Sequence, residues 1–291
     1  MKIDFSNYPL SDIQYGGSEK KLGILIEGIP YMLKFQKKTP FGKRNNHISE
    51  YLGSHIFELI GLNVHETYLG TYCGNEVVAC KDFVQDGFEF VPFNDVGESS
   101  IEVDKERYQY SYDDIITLLE NNKKLTNVSE TISIFFEMYI VDALIGNFDR
   151  HGANWGFLKK NNKYALAPIF DNGSCLFPQM INEDEMSLVI NDENELNRRI
   201  YTFPTSQIKL NEGKSSYFEV ISSLRFEECN KALMVIFEKI DLNKIDSLIN
   251  SLDISDIHKQ FYKTMIRERY DKILRFSYNK LKGEIHEKHN Y

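Results

Sequence analysis

Asp149 and Asn154, an acid and an amide five residues apart, lie in the stretch Asn147-Phe148-Asp149-Arg150-His151-Gly152-Ala153-Asn154-Trp155. A second acid follows at Asp171-Asn172-Gly173. Phosphoryl transfer needs such parts. One carboxylate receives the attacking hydroxyl, while an amide oxygen and a second carboxylate hold the magnesium that neutralises the phosphates. The spacing therefore points to Asp149 as catalytic base and to Asn154 and Asp171 as metal ligands. Plain turns capped by these side chains would explain the Asn-Gly pair but not the joint spacing.

The surrounding pattern supplies elements to carry them. Residues 129–146 read as a buried helix, with Ser129 as its cap and Gly146 as its end. Residues 155–158 and 164–170 read as strands joined across 159–163. Neighbouring strands lie about 4.8 Å apart, so this hairpin returns Asp171 beside Asn154. Two oxygen ligands from distant sequence then converge, which suits magnesium.

Upstream, residues 22–27 and 31–36 look like strands around a turn at 28–30. The glycine-rich, basic run Tyr15-Gly16-Gly17-Ser18-Glu19-Lys20-Lys21 precedes them. Its backbone amides suit a phosphate, with Lys20 or Lys21 adding charge; a Gly-Gly turn with solvated lysines is the alternative. Strand alternation puts Tyr31, Leu33 and Phe35 on one face and Met32 and Lys34 on the other. A buried ammonium at Lys34 needs an anion, either phosphate or carboxylate, and Met32 would then roof the adenine of ATP. An edge-strand lysine facing solvent is the competing reading.

A helix over 46–60 carries the apolar stripe Ile48, Leu52, Ile56 and Leu59. Glu50 lies nearly opposite that stripe, and periodicity leaves both Glu50 and Glu58 open as partners for Lys34. Strands near 67–73 and 76–83 complete a small sheet. Lys81-Asp82-Phe83 should run into a connection where backbone groups can bond adenine. Beyond it, 85–110 reads as polar and irregular, and Ser111-Tyr112-Asp113-Asp114 as a capping box opening a helix to about 121. Residues 174–205 read as a solvated acidic loop, and 215–282 as three or four amphipathic helices. The division expected is 1–84 and 85–291.

The net charge of −9 argues against nucleic acid or an anionic membrane as the main partner. The four cysteines show no metal-type pairing and fit buried thiols in a reducing cytosol. The longest apolar run, within 132–145, is interrupted by Glu137 and Asp142 and is too short to span a bilayer. No signal-peptide pattern opens the chain, so the expected location is cytoplasmic.

The sequence resembles the HipA-like serine/threonine kinases, in particular their short stand-alone, CtkA-like type. The likeness rests on Gly16 to Lys20, Tyr31-Met32-Leu33-Lys34-Phe35, Ser49-Glu50-Tyr51, Gly146 to Gly156 and Pro168 to Gly173. It implies an α+β, bilobal protein-kinase-like fold, with a small β-rich N-lobe holding one helix and a larger, mainly helical C-lobe. It implies ATP and Mg2+, with Lys34 as the ATP-phosphate lysine, Glu50 as its helix partner and the hinge at Lys81, Asp82 and Phe83. Asp149 resembles the catalytic base, Asn154 and Asp171 the metal ligands, and His151 a family histidine that braces the loop. Autophosphorylation is implied as well, with Ser18 the nearest candidate.

A protein substrate is implied, such as a translation component, and a toxin-like role. An antitoxin polypeptide, or a separate chain supplying the family's extra N-terminal subdomain, is a further expected partner. Export as a translocated effector is the alternative to a cytoplasmic life. Two other readings stay open. The loop from Gly146 to Asn154 is also similar to the Asp-Arg-His-x-x-Asn loop of phosphoinositide kinases, which suggests a lipid or small-molecule kinase. A nucleotide-binding pseudokinase acting as a partner-binding module is the other.

Overall fold

The computed structural model describes residues 2–16, 20–40, 42–84, 87–95, 110–123, 125–210 and 213–289. Its first region is a five-stranded sheet with one helix. The elements are β1 (Ile3–Asp4), β2 (Lys21–Ile26), β3 (Ile29–Phe35), α1 (Asn46–Ile60), β4 (Thr67–Tyr72) and β5 (Asn75–Lys81). The strand order is β1-β4-β5-β3-β2, antiparallel except for the parallel β1–β4 pair. β3 is thus interior, and Lys34 is not on an edge. The turn before it takes only Glu27 and Gly28, at φ 51° and 80°, a conformation that two-residue hairpins favour. β3 consequently begins at Ile29, two residues earlier than the pattern suggested.

Tyr31, Leu33 and Phe35 pack with Phe5, Ile24, Val77 and Ala79 on one side of the sheet. α1 lies against β4 and β5. Its buried stripe, Ile48, Leu52, Ile56 and Ile60, joins the larger core of the following region. Leu59, expected on that stripe, is exposed. α1 ends where Gly61 turns left-handed at φ 87°.

The second region is mainly helical. α2 (Tyr112–Glu120) opens with the Ser111–Asp114 capping box. α3 (Val128–Ile145) is capped by Asn127, whose side chain accepts from the Glu130 amide, not by Ser129. β6 (Glu89–Pro92) pairs with β7 (Gly156–Lys160), which pairs with β8 (Lys163–Leu166). β6 corrects the expectation of an irregular stretch there, because its partner lies far away in sequence.

The acidic segment is a second correction. It folds as α4 (Glu183–Asn191), α5 (Glu193–Asn197) and a π-helical turn over Arg198–Thr202. The acids cap and face water, while Met186, Val189, Leu196 and Ile200 are buried in the core. β9 (Thr205–Lys209) and β10 (Lys214–Ser216) form a hairpin. The chain ends in α6 (Tyr217–Ser222), α7 (Glu227–Lys239), α8 (Leu242–Asn250), α9 (Asp256–Arg269), a π-helical turn (Tyr270–Arg275) and α10 (Phe276–His289). Among the described residues, no helix is long and apolar enough to cross a membrane.

Candidate active site

α3 is apolar along most of its length, yet Asp142 on it is fully buried. A buried carboxylate requires partners, and the chain beyond the helix supplies them. Gly146 turns left-handed at φ 62°, and Asn147 Nδ2 donates to Asp142 Oδ1 at 2.9 Å. Arg150 then folds back, its Nε 2.9 Å from Asp142 Oδ2 and its Nη2 3.1 Å from Oδ1. The same guanidinium donates to the Asn154 carbonyl at 3.0 Å, to the Phe170 carbonyl and to Asn172 Oδ1. A planar fork of five donors can do this. One arginine therefore staples the Asp149 loop to the Asp171 loop.

The side chains of Asp149 and Asn154 are placed differently, Asn154 buried and Asp149 partly exposed. Asn154 Nδ2 donates to the Asp149 carbonyl at 2.7 Å, which leaves its Oδ1 as a ligand oxygen. The Asp149 side chain is 45% exposed, against 1% for Asp142. Burial still raises its carboxyl above the ordinary range; Asp171 adds to this, while His151, Arg150 and Lys214 oppose it. A raised, accessible carboxylate suits a general base. His151 Nδ1 accepts from the Ala153 amide at 3.2 Å, and its Nε2 lies 3.8 Å from Asp149 Oδ1. It braces the loop.

The sheet contributes the other half. Lys34 is buried, with its Nζ 2.8 Å from Glu50 Oε2 and 2.8 Å from Asp171 Oδ1. Burial would lower its pKa, but Asp171 and Glu50 outweigh that and raise it well above the usual value. Glu50 also accepts from the Asn172 amide at 3.1 Å and meets His65 Nε2 at 3.0 Å. Although burial alone would raise its carboxyl, Lys34 and His65 hold it well below the usual range. Glu58 pairs with His55 and is exposed, so the structure chooses Glu50. α1 can approach this closely because position 53 is glycine: a Cβ there would sit 2.7 Å from Asn172 Cβ.

Lys34, Glu50, Asp149, His151, Asn154 and Asp171 are thus gathered by one hydrogen-bonded network. Other expected residues are arranged differently. Met32 pairs with Cys80 across β3 and β5 and is half-buried. The Gly16 carbonyl accepts from Lys21 Nζ at 2.6 Å. Lys20 Nζ lies 4.5 Å over the Phe35 ring, on the sheet face opposite Lys34. Gly17 and Ser18 lie outside the described residues.

At the expected hinge, Lys81 pairs with Glu66 at 2.5 Å, away from the network. The Asp82 amide donates to the Pro30 carbonyl at 3.0 Å, and Asp82 Oδ2 accepts from the Tyr15 hydroxyl at 2.9 Å. Phe83 packs on Phe170, next to Asp171, with centroids 5.4 Å apart. Sequence reasoning missed Asp142, Arg150, His65 and Asn172. A lone charge in the apolar run 132–145 was the available signal for Asp142.

The chemistry of the donor set fits magnesium. Asp171 is 41% exposed, spends one oxygen on Lys34 and keeps the other, and the Asn154 oxygen is uncommitted by its own amide nitrogen. Asp171 also sits at φ 57°, a conformation uncommon outside glycine and met at functional sites. A second metal-capable trio, Glu50, His65 and Cys80, lies within 4.8 Å. There Lys34 already neutralises Glu50, and burial pushes the Cys80 thiol up.

Comparison with known proteins fits this geometry. The HipA-like C-terminal domain family matches residues 13–235. The serine/threonine-protein kinase CtkA of Helicobacter pylori strain J99 is 39% identical over 268 residues, covering 89% of this chain and 82% of that protein. The chain belongs to the HipA-like serine/threonine kinase family. The crystal structure of a Helicobacter pylori proinflammatory kinase CtkA superimposes with a TM-score of 0.86 at 36% identity, covering 97% of this chain and 98% of the other. HipA of Shewanella oneidensis MR-1, solved in complex with HipB and operator DNA, shares the fold. Its TM-score is 0.59 at 14% identity, over 94% of this chain and 68% of that one. The HipA-like kinase fold thus accounts for a small sheet-rich region followed by a helical one.

Proposed function

We propose that this protein is an ATP- and Mg2+-dependent serine/threonine kinase that transfers the γ-phosphate of ATP to a protein hydroxyl. The observation that carries the reading is Lys34, buried in an interior strand and 2.8 Å from both Glu50 and Asp171. That ammonium ties the strand, α1 and the acidic turn together at one point. On nucleotide binding Lys34 exchanges Asp171 for the α- and β-phosphates, and Glu50 keeps it in place. Magnesium bound by Asn154 and Asp171 would neutralise phosphate charge. Asp149 takes the proton from the acceptor hydroxyl. The hydroxyl oxygen bonds to the γ-phosphorus as the bond to the bridging oxygen breaks, and ADP leaves. His151 and Arg150 fix the loop so that Asp149 needs no reorganisation.

The same reading includes autophosphorylation, a toxin-like or regulatory role and, for the family's extra subdomain, a partner chain. Radiolabelled ATP tests it, given first to the protein alone and then with cell extract. Label should appear on the protein itself or on a discrete protein band, and should vanish with chelator or in Asp149→Asn. Label confined to extracted lipid, or none at all, would overturn the proposal.

A further inference from the structure

The Asp149 loop has a shortage of positive charge. Its two basic residues are Arg150 and His151. Arg150 is wholly spent on Asp142, Asn172 and two carbonyls, and His151 is engaged with the Ala153 amide. A phosphoryl group in flight spreads negative charge over its equatorial oxygens, and kinases meet it with fixed cations. Lys34 sits among carboxylates on the sheet side, so the acceptor side needs another source.

β9 and the first residue of α6, which flank β10, are fastened to this loop at two consecutive residues. Gln207 Nε2 donates to the Phe148 carbonyl at 2.9 Å, and the Tyr217 hydroxyl donates to the Asn147 carbonyl at 2.6 Å. Along β9, Ser206 and Ile208 are buried while Thr205, Gln207 and Lys209 are half-exposed. Lys209 pairs directly with Lys214 of β10. The register shifts between Thr205 and Lys209, but burial alternates along β9, so Gln207 and Lys209 share its half-exposed side, and Lys214, paired with Lys209, stands on that side. It is exposed, and its ammonium bonds no group among the described residues. Lys214 is also among the groups that act on the Asp149 carboxyl.

We propose that Lys214 is a catalytic residue on the acceptor side, donating from its ammonium to the γ-phosphoryl oxygens during transfer. This rests on the kinase reading above. Lys214 neither gains nor loses a proton: the hydroxyl proton goes to Asp149 and the leaving group is ADP. Its contribution exists chiefly in the transition state, so it should appear in kcat and not in nucleotide affinity.

The test compares wild type, Lys214→Met and Lys214→Arg. Lys214→Met should lose about 10²-fold in kcat, with KM for ATP and melting temperature near wild type, and Lys214→Arg should recover part of the loss. A binding readout stands beside activity. Aluminium fluoride should tighten magnesium-ADP binding to wild type, because the complex imitates the transferring group, and should do so far less for Lys214→Met. Unchanged kcat, a loss confined to KM for the acceptor, or equal tightening by fluoride in both proteins would overturn the role. Wild type that transfers no phosphate would instead sink the kinase reading, and this role with it.

Discussion

Two buried cations of this molecule live in opposite surroundings. Lys34, at the proposed nucleotide side, is held by two carboxylates that raise its pKa. Arg269, at the end of α9, is fully buried and pairs with no carboxylate among the described residues. Its Nε donates to the Ala143 carbonyl at 2.7 Å and its Nη1 to the Arg199 carbonyl at 2.8 Å, while Nη2 has no hydrogen-bond partner among the described residues. Burial pushes Arg269 down to about 10. The contrast separates two uses of charge. Carboxylates at Lys34 can be exchanged for phosphates, whereas backbone carbonyls at Arg269 belong to α3 and the π-helical turn and never leave. The first arrangement suits the proposed chemistry; the second joins the scaffold beneath the Asp149 loop.

The largest test of that division is Asp149→Asn. Losing the base should cut turnover on the order of 10²–10⁴-fold, yet the fold should not weaken. The Asp149 carboxyl is raised in the folded state, so its ionised form disfavours folding above that pKa. Removing the charge should leave the melting temperature at neutral pH equal or slightly higher. Below the unfolded carboxylate value of about 4 both states are protonated, and the difference should vanish. A clear drop in melting temperature at pH 7 would place Asp149 with the scaffold instead.

Lys34→Met comes next. It should abolish turnover and also cost about 3 kcal/mol of stability, because Glu50 is left buried beside His65 and the Asn172 amide alone. Urea unfolding of Lys34→Met/Glu50→Leu should show a smaller loss than Lys34→Met, since the stranded charge goes too. An additive or larger loss would mean that the pair is not an electrostatic unit. Glu50 adds an acid signature. Its depressed carboxyl stabilises the fold above the unfolded value of about 4.3, and that contribution is lost as pH falls through the lower folded value.

Arg269→Met should reverse the pattern. Two buried carbonyls lose their donor, at about 1–3 kcal/mol in all, while turnover per folded molecule stays near wild type. A kcat loss larger than tenfold with stability intact would show that Arg269 belongs to the active site.

How far the sequence foretold this depends on how local each signal is. α1 was legible over 46–60 because its apolar period repeats for four turns, and alternation on β3 put Lys34 opposite Leu33 correctly. The spacing of Asp149, Asn154 and Asp171 was legible because a hairpin returns the chain within twenty residues. Arg150 was opaque, since its partners Asp142 and Asn172 meet only after α3 and the hairpin have docked. Residues 183–202 were misread because capping acids dominate their composition. Their buried residues, Met186, Val189, Leu196 and Ile200, are split between short helices restarted at Asp192, so no long period forms.

The smallest effect belongs to Tyr15, at the stem of the glycine-rich run. Its hydroxyl donates to Asp82 Oδ2 at 2.9 Å, which links that stem to the end of β5. Burial and Asp82 both push the phenol pKa up, so it remains a donor at neutral pH. Tyr15→Phe removes one hydrogen bond to a partly buried acid, about 1 kcal/mol at most. If the link merely holds the stem over the nucleotide, ground state and transition state lose it equally. KM for ATP should then rise by no more than about fivefold with kcat unchanged. An equal fall in kcat and kcat/KM would mean that the stem tightens only as phosphate moves, and Tyr15 would join Lys34 on the side of chemistry.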